Sequence, residues 1–298
     1  MRLKLKRNLK NCVYNEAFVR KFNFLLILAC LLLLSSIFTG CATKLPSTTL
    51  PQTEADEAEA KAVWDRYLAA FGQDPHKPFN IESTFRYVKP DGESHRATLR
   101  IWGNGGYPYR MDVLAGMGAV AAQMRDDTNS LLIYMPQENR LYTHTGPDKP
   151  VLGLSGLGVP MPFSLADLTS ILQGHYTELF GDSYSAAYST NSSALHFDLN
   201  SDKMPGYLVL NQDGVPVSWV SKVTKGWKIY FSFGEPAKGD NTPQLEKMII
   251  NHAQGYAVTL WFKGITYPDA PYTKKQLELN IPADTEKLPM RQIEDEES

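Results

Sequence analysis

Short runs in which apolar and polar residues alternate fill most of the chain from Phe79 onward. Examples are FNIESTFRYV from Phe79, HRATLRIW from His95 and QLELNI from Gln276, and turn sequences such as Pro90-Asp91-Gly92 separate consecutive runs. Alternation with a period of two, interrupted by tight turns, is typical of antiparallel strands joined by hairpins. The pattern predicts a mainly β, α+β fold. We expect one open antiparallel half-barrel of about 11–12 strands, since so long a sheet usually curls.

Two segments depart from this alternation and fit helices. Residues 54–71 begin with a crowd of acidic side chains, which suits a helix N-terminus. Three apolar residues of this segment share one face: Val63, Tyr67 and Ala70. The second helix starts at Ser164, has Asp167 as the partner in a capping box and ends at Gly174. We expect both helices to cover the open, concave face of the half-barrel.

The first 40 residues have a different character. Basic residues crowd the first 23 positions, and an uncharged stretch from Phe24 to Phe38 follows. This stretch is short for a membrane span, which takes about 20 apolar residues. The order of basic, apolar and small residues is typical of a secretory signal. An uncleaved N-terminal anchor is the alternative interpretation.

The residues from Ile37 to Cys41 resemble the lipobox of bacterial lipoproteins. That resemblance implies that the chain is cut before Cys41 and that this cysteine is diacylated. Two acyl chains, at about 0.8 kcal/mol per buried CH₂, hold a protein stably on a bilayer. Ala42 stands where an aspartate usually retains lipoproteins in the inner membrane, so the resemblance implies the periplasmic face of the outer membrane.

The sequence divides into four parts. Residues 1–40 are the predicted signal peptide, and residues 41–53, rich in proline, serine and threonine, are a predicted flexible tether. Residues 54–285 form the predicted half-barrel domain. Residues 286–298 are an acidic tail that we expect to be disordered.

The predicted mature chain is acidic. Without its first 40 residues it keeps 23 basic and 31 acidic residues, a net charge of −8. Such a balance disfavours binding to nucleic acid or to anionic lipid surfaces. Cys41 is the one cysteine left, which excludes an internal disulfide and a cysteine-based metal site.

The sequence carries no recognisable catalytic motif. Its six histidines are scattered without metal-ligand spacing, and Ser155 in LSGLG does not fit the nucleophile elbow. We therefore predict no catalytic residue, no metal site, no cofactor and no enzymatic activity. Aromatic residues favour pleated surfaces, so we expect structural roles for the tryptophans in strand-like runs: Trp102, Trp219, Trp227 and Trp261.

From about Phe79 to Pro282 the pattern resembles the LolA/LolB superfamily, and within it the LolB family of outer-membrane lipoproteins. Three places carry the resemblance: the turn Leu114–Gly118, the segment Gly158–Pro162 before the capped helix, and the late strands around Gly226–Tyr230 and Val258–Trp261. The segment GVPMP fits the family pattern G-[MV]-P-[IM]-P followed by a short helix. The resemblance implies a half-barrel with a hydrophobic cavity for acyl chains.

Members of the LolB family accept lipoproteins from the periplasmic carrier LolA and insert them into the outer membrane. The resemblance therefore implies three partners: a LolA-like carrier, acylated lipoprotein cargo, and the outer membrane through the lipid anchor. We expect a monomer that binds no nucleic acid.

The resemblance also implies site residues. The LolB family projects an apolar residue from a hairpin turn to push cargo into the membrane, and that position is Met117, with Leu114 beside it. The turn reads AGMG here and NPLG in the family; an unbranched methionine can make the same contact with lipid. A second set of residues either lines or covers the cavity or fills the core: Leu154, Leu157, Val159, Met161, Leu165, Leu168, Ile171 and Leu172.

Two other functions fit the same sequence. The protein could bind another amphiphile, such as a phospholipid or a glycolipid, without sorting lipoproteins. Alternatively, packed side chains could close the half-barrel, which would favour a structural partner in envelope assembly. A contiguous apolar cavity favours carriage, whereas a filled interior favours scaffolding.

Overall fold

The computed structural model describes residues 53–72, 77–146, 161–189, 193–222, 226–235 and 242–290. They belong to one compact unit, residues 49–298. The predicted signal peptide, Cys41, the tether up to residue 52 and the candidates Leu154, Leu157 and Val159 lie outside the described residues.

Fifteen strands of the described residues form a single sheet. They are β1 (Thr53–Glu54), β2 (Phe79–Val88), β3 (Ser94–Gly103), β4 (Tyr109–Ala115), β5 (Ala119–Asp127), β6 (Ser130–Met135), β7 (Arg140–Thr145), β8 (Tyr184–Ser189), β9 (Leu195–Leu199), β10 (Gly206–Leu210), β11 (Pro216–Ser221), β12 (Lys228–Phe233), β13 (Leu245–Asn251), β14 (Ala257–Thr266) and β15 (Glu286–Pro289). The helices are α1 (Glu57–Phe71), α2 (Leu165–Gln173), α3 (Thr177–Phe180) and α4 (Lys274–Leu277), and Gly116–Gly118 form a 3₁₀ turn.

Two antiparallel meanders build the sheet. β2 to β7 are consecutive neighbours, as are β8 to β14, and the meanders join where β14 pairs with β2. β1 extends one edge beside β8, and β15 extends the other beside β7. The order does not close on itself, so the prediction of one large open sheet in a mostly β protein is confirmed.

The predicted count of 11–12 strands is too low. β1 has two residues and β15 has four, which is too few for an alternating pattern to be visible. Each pairs with a strand more than 130 residues away in sequence, for example Thr53 with Ser189. Strand pairing over such separations is decided by tertiary structure and leaves no local signal.

The C-terminal part of the chain corrects two further predictions. QLELNI was predicted as a strand, but its first residues lie in α4, where the side chain of Gln276 accepts hydrogen bonds from Thr273 in a capping box. The tail predicted to be disordered from Glu286 begins with a strand instead. That strand, β15, runs parallel to β7, so the sheet is not wholly antiparallel. A chain that reaches an edge by crossing the sheet, rather than by a hairpin, can pair in parallel.

The sheet has two distinct faces. In β2, Phe79, Ile81 and Phe85 are buried, whereas the alternate residues Asn80, Glu82 and Arg86 are exposed. We call the first side the helix face, because α1 to α3 pack on it, and the second the outer face. For example, the ring of Trp64 in α1 lies 5.0 Å from that of Phe197 in β9. That the helix face is concave stays a prediction.

Chain connectivity places the helices there. β7 and β8 lie near opposite edges of the sheet, so the segment between them, which carries α2 and α3, has to cross one face. α2 and α3 join the same hydrophobic core as α1 and the buried residues of the strands. The return segment after β14 crosses the outer face, where Arg110 donates a 2.7 Å hydrogen bond to the Glu278 carbonyl and Trp102 donates one to Gln276.

Candidate functional site

Helix α2 is fixed at both ends by its own sequence. The Ser164 hydroxyl accepts a hydrogen bond from the Asp167 backbone N–H at 3.1 Å, and the Asp167 carboxylate accepts one from the Ser164 N–H at 3.0 Å. Gly174 ends the helix at φ 85°, a left-handed conformation that glycine adopts at little cost. The capped helix predicted from Ser164 to Gly174 is therefore confirmed.

The apolar candidates of this region pack inside the protein. Each is at most 5% exposed and belongs to the hydrophobic core: Met161, Leu165, Leu168, Ile171 and Leu172. A helix of nine residues is marginal in isolation. Its position over the sheet therefore depends on this burial and on the caps.

A cavity of about 230 Å³ lies beyond the C-terminal end of α2. Its apolar wall comes from the last turn of α1, the end of α2 and strands β12 to β14: Ala70, Leu172, Phe233, Leu245, Phe262 and Ile265. Gln173, His175, Gln244 and Tyr267 add polar groups to the lining. Tyr267 is half exposed, so this side of the cavity reaches the surface.

Buried aromatic residues form the floor beside the cavity. Tyr176 packs its ring edge-on against Phe71 at 5.0 Å and against Phe231 at 5.7 Å. Within the described residues the hydroxyls of Tyr176 and Tyr67 have no hydrogen-bond partner. Burial raises the pKa of both phenols well above 10, so both stay neutral. The floor is therefore uncharged.

The polar part of the lining is organised around the α2–α3 junction. His175 is 8% exposed, and its Nδ1 lies 4.0 Å from Oε1 of Glu178. The other carboxylate oxygen of Glu178 accepts a 2.5 Å hydrogen bond from Ser170. The cavity thus joins an apolar wall to a polar side, an arrangement suited to an amphiphilic ligand.

The size of the cavity limits what it holds. It exceeds the 150 Å³ apolar cavity that admits benzene, yet it falls short of the roughly 300–1,000 Å³ of sites for larger ligands. It fits a short apolar segment, such as part of one acyl chain.

The predicted membrane-insertion turn lies elsewhere. Met117 sits in the 3₁₀ turn that closes the β4–β5 hairpin, between two exposed glycines. Leu114 is half-buried in β4 opposite Thr98. Ile265 at the cavity is aligned, through β2 and β3, with Met111 near the start of β4. The 3₁₀ turn, by contrast, follows the last residue of β4. The turn and the cavity therefore occupy opposite ends of the strands.

Sequence reasoning missed most of the cavity wall. Phe233, Leu245 and Ile265 read as ordinary strand residues, and only their positions near the same ends of β12, β13 and β14 bring them together. Ala70 was assigned to the apolar face of the first helix, which is confirmed by the burial of Val63 and Tyr67 beside it.

Metal centres and membrane spans need particular groupings of residues. In the described ranges no group of three or more histidine, cysteine, aspartate or glutamate residues is placed to hold a metal ion. No helix in the same ranges has the length and apolar character to cross a membrane.

Comparison with known proteins identifies the fold. No protein-family model matches the sequence. No curated protein matches it either. A LolA superfamily protein from Nitrosomonas europaea superposes with a TM-score of 0.50 and 12% identity, covering 73% of this chain and 98% of that one.

Two further solved structures are similar at lower scores. A DUF1329 family protein from Desulfovibrio piger gives a TM-score of 0.48 at 12% identity, over 73% of this chain and 96% of that one. A putative outer membrane lipoprotein-sorting protein domain from Vibrio parahaemolyticus gives 0.45 at 10% identity, over 74% and 94%. The similarity to the LolA superfamily protein shows that the chain has a LolA-like fold.

Proposed function

We propose that this protein is a lipid-anchored component of the bacterial envelope that binds the acyl chains of lipoproteins and passes them to the outer membrane. The observation that carries the proposal is the cavity between the helices and the sheet of a LolA-like fold. The protein acts by binding and not by catalysis, receives its cargo from a periplasmic carrier, and is held at the outer membrane through Cys41.

Apolar surface supplies the affinity. At about 25 cal/mol per Å², a few hundred Å² of buried acyl surface contributes several kcal/mol. The bilayer buries whole acyl chains and therefore binds the cargo more strongly. Transfer from protein to membrane then runs downhill without an energy source.

The cavity holds only part of a chain, so complete binding requires additional space. The end of α2 borders the cavity, and this short helix packs on the sheet through one apolar face. We expect α2 to shift when an acyl chain enters, because the caps keep the helix intact while its side chains change partners.

Cargo transfer in vitro tests the function. Residues 42–298, which contain the whole compact unit, are mixed with a LolA-like carrier loaded with an acylated lipoprotein, and the cargo is followed by pull-down. Movement of the lipoprotein to this protein is the expected result. Cargo that stays on the carrier while the protein extracts phospholipid or glycolipid would assign it to another amphiphile.

A pair of alanines in α1 tests the cavity. Ala70 lines it, whereas the adjacent Ala69 is exposed. Ala70→Phe fills the cavity and should lower the affinity for an acyl-chain probe at least about tenfold, while Ala69→Phe should leave it unchanged. Equal affinities for the two variants would place acyl binding elsewhere.

Met117→Glu tests insertion separately from binding. A charge at this turn should leave transfer from the carrier intact and block delivery of cargo into liposomes, because a carboxylate resists entering the apolar part of a bilayer. Met117→Leu, which keeps an apolar side chain, should insert cargo normally. Full insertion by the Met117→Glu variant would remove this turn from the function.

One observation favours a second candidate. The leucines and the isoleucine of α2 are all buried in the core, which is expected of a structural partner whose interior is filled. A protein that binds no acyl probe, but is recovered in a stable envelope complex whose assembly fails without it, would be such a partner.

A further inference from the structure

The outer face of the sheet carries two arginines that lack an acidic partner within the described residues, and we call them the unpaired cluster. Arg86 of β2 and Arg96 of β3 face each other directly, and both are exposed. Like charges placed opposite each other in an antiparallel pair destabilise it. Within the described part of the chain neither arginine forms an ion pair, so no carboxylate there offsets the repulsion.

Other arginines of the outer face lie close to a carboxylate. Arg110 of β4 pairs with Asp112 at 3.0 Å, and Arg125 of β5 pairs with Asp127 at 2.7 Å. On the same two strands as the unpaired cluster, Arg100 lies opposite Glu82, and their closest atoms are 4.0 Å apart. Arg110 and Arg125 also lie opposite each other, but each has an aspartate beside it, whereas Arg86 and Arg96 have no carboxylate partner within the described residues.

The surroundings of the cluster are also basic. We define the basic face as the outward residues of β2, β3 and β12 to β14, which include five basic side chains and one acidic one: Arg86, Arg96, Arg100, Lys228 and Lys247 against Glu82. The two bulge residues at its margin, Glu246 and Lys263, cancel each other in charge. This face is positive although the predicted mature chain is acidic.

Amphipathic aromatic residues lie among these charges. The guanidinium of Arg96 lies 5.8 Å from the centre of the Trp261 ring, and Trp261 is aligned with Lys247 on β13. Tyr230 and Ile249, half-buried and opposite each other on β12 and β13, continue the apolar part of the face. Tryptophan and tyrosine are enriched where proteins meet the headgroup region of membranes.

We propose that the basic face docks onto an anionic phospholipid surface, with Arg86 and Arg96 binding lipid phosphates. Positive charge and interfacial aromatic residues on one face complement a negatively charged leaflet. The lipid anchor proposed at Cys41 keeps the domain close to the membrane, since the predicted tether reaches at most about 47 Å.

Vesicle co-sedimentation tests the proposal without the anchor. Residues 42–298 are mixed with vesicles of phosphatidylcholine alone or with about 30% phosphatidylglycerol, a composition that gives the surface the charge of an anionic leaflet. We expect binding only to the anionic vesicles, and loss of binding when salt rises from about 0.1 M to about 1 M, because the Debye length falls from about 10 Å to about 3 Å.

The variant Arg86→Glu distinguishes docking from misfolding. It replaces a repulsive pair with an attractive one opposite Arg96, so the fold gains stability while the face loses charge. Binding to anionic vesicles should fall about tenfold. The control Lys61→Glu makes the same change in net charge on the side of α1, where Lys61 is well exposed, and should bind as the unaltered protein does.

Three results would overturn the proposal. The first is no preference for anionic over neutral vesicles, and the second is an equal loss for Arg86→Glu and Lys61→Glu. The third is failure to bind vesicles while Arg86→Glu weakens association with an acidic carrier protein, which would assign the face to a protein partner. None of them bears on cargo transfer from a loaded carrier, which uses no vesicles and tests the proposed function alone.

Discussion

Arg86 lies directly opposite Arg96, whereas four residues earlier on the same strand Glu82 lies directly opposite Arg100. Two pairs in one ladder thus differ in the sign of their electrostatic interaction. Charge reversal in one pair should therefore change the stability of the sheet in the opposite direction to charge reversal in the other.

The first prediction concerns these pairs. Arg86→Glu should raise the free energy of unfolding by about 0.2–1 kcal/mol, because it creates a cross-strand ion pair with Arg96. Arg100→Glu should lower it by a similar amount, since it places two carboxylates opposite each other. Urea denaturation measures both, and a change of the same sign in both variants would contradict the electrostatic explanation.

The second prediction concerns His196 of β9. The side chain is buried, and desolvation lowers its pKa below 6.5. The unfolded chain therefore binds a proton at a higher pH than the folded chain. The free energy of unfolding should fall as the pH drops from above about 6.5 through the lowered pKa of the folded state.

The variant His196→Phe should remove this part of the pH dependence, so that its unfolding free energy changes less between pH 7 and pH 5. His95, whose side chain is about half exposed, provides the control, and His95→Gln should keep the slope. An unchanged slope in the His196→Phe variant would show that another group causes the loss of stability in acid.

The third prediction concerns the cap of α2. Ser164→Ala removes the hydroxyl that accepts from Asp167 and should cost about 1 kcal/mol of stability. Ser94→Ala, at an exposed position at the start of β3, should change stability by less than about 0.5 kcal/mol. The midpoint temperatures of thermal unfolding measure the difference between the two variants. Equal midpoints would show that the cap does not stabilise the protein.

The fourth prediction concerns Tyr176. Its buried hydroxyl has no partner among the described residues, so Tyr176→Phe removes an unsatisfied polar group and should raise the unfolding free energy by about 1 kcal/mol. Tyr176→Ala should lower it by about 3–5 kcal/mol through the cavity that it creates. A destabilised Phe variant would mean that the hydroxyl is bonded in solution.

The sequence was sufficient for the local elements. Alternating burial, as in β2, and turns such as Pro90-Asp91-Gly92 follow from neighbouring residues, and so does the capped helix from Ser164 to Gly174. These features depend on backbone preferences and side-chain periods within a few residues. Together they are enough to predict a large, open, mostly β sheet.

The edges of the sheet could not be predicted in this way. β1 and β15 are too short to show a period, and their partners are remote in sequence. The segment 276–281 alternates as a strand does, yet the Thr273 capping box and the contact of Arg110 with the Glu278 carbonyl hold it against the outer face. Long-range contacts outweigh local propensity there.

The sequence by itself determined the hairpins, the capped helix, the residues that face the core and the acidic balance of the chain. Only the tertiary structure decided that Ala70, Leu172 and Ile265 share one cavity, and that Arg86 and Arg96 face each other on the basic face of an acidic protein. The reason is physical. Periodicity and net charge are properties of position along the chain, whereas a cavity and a charged face depend on which strands become neighbours in space.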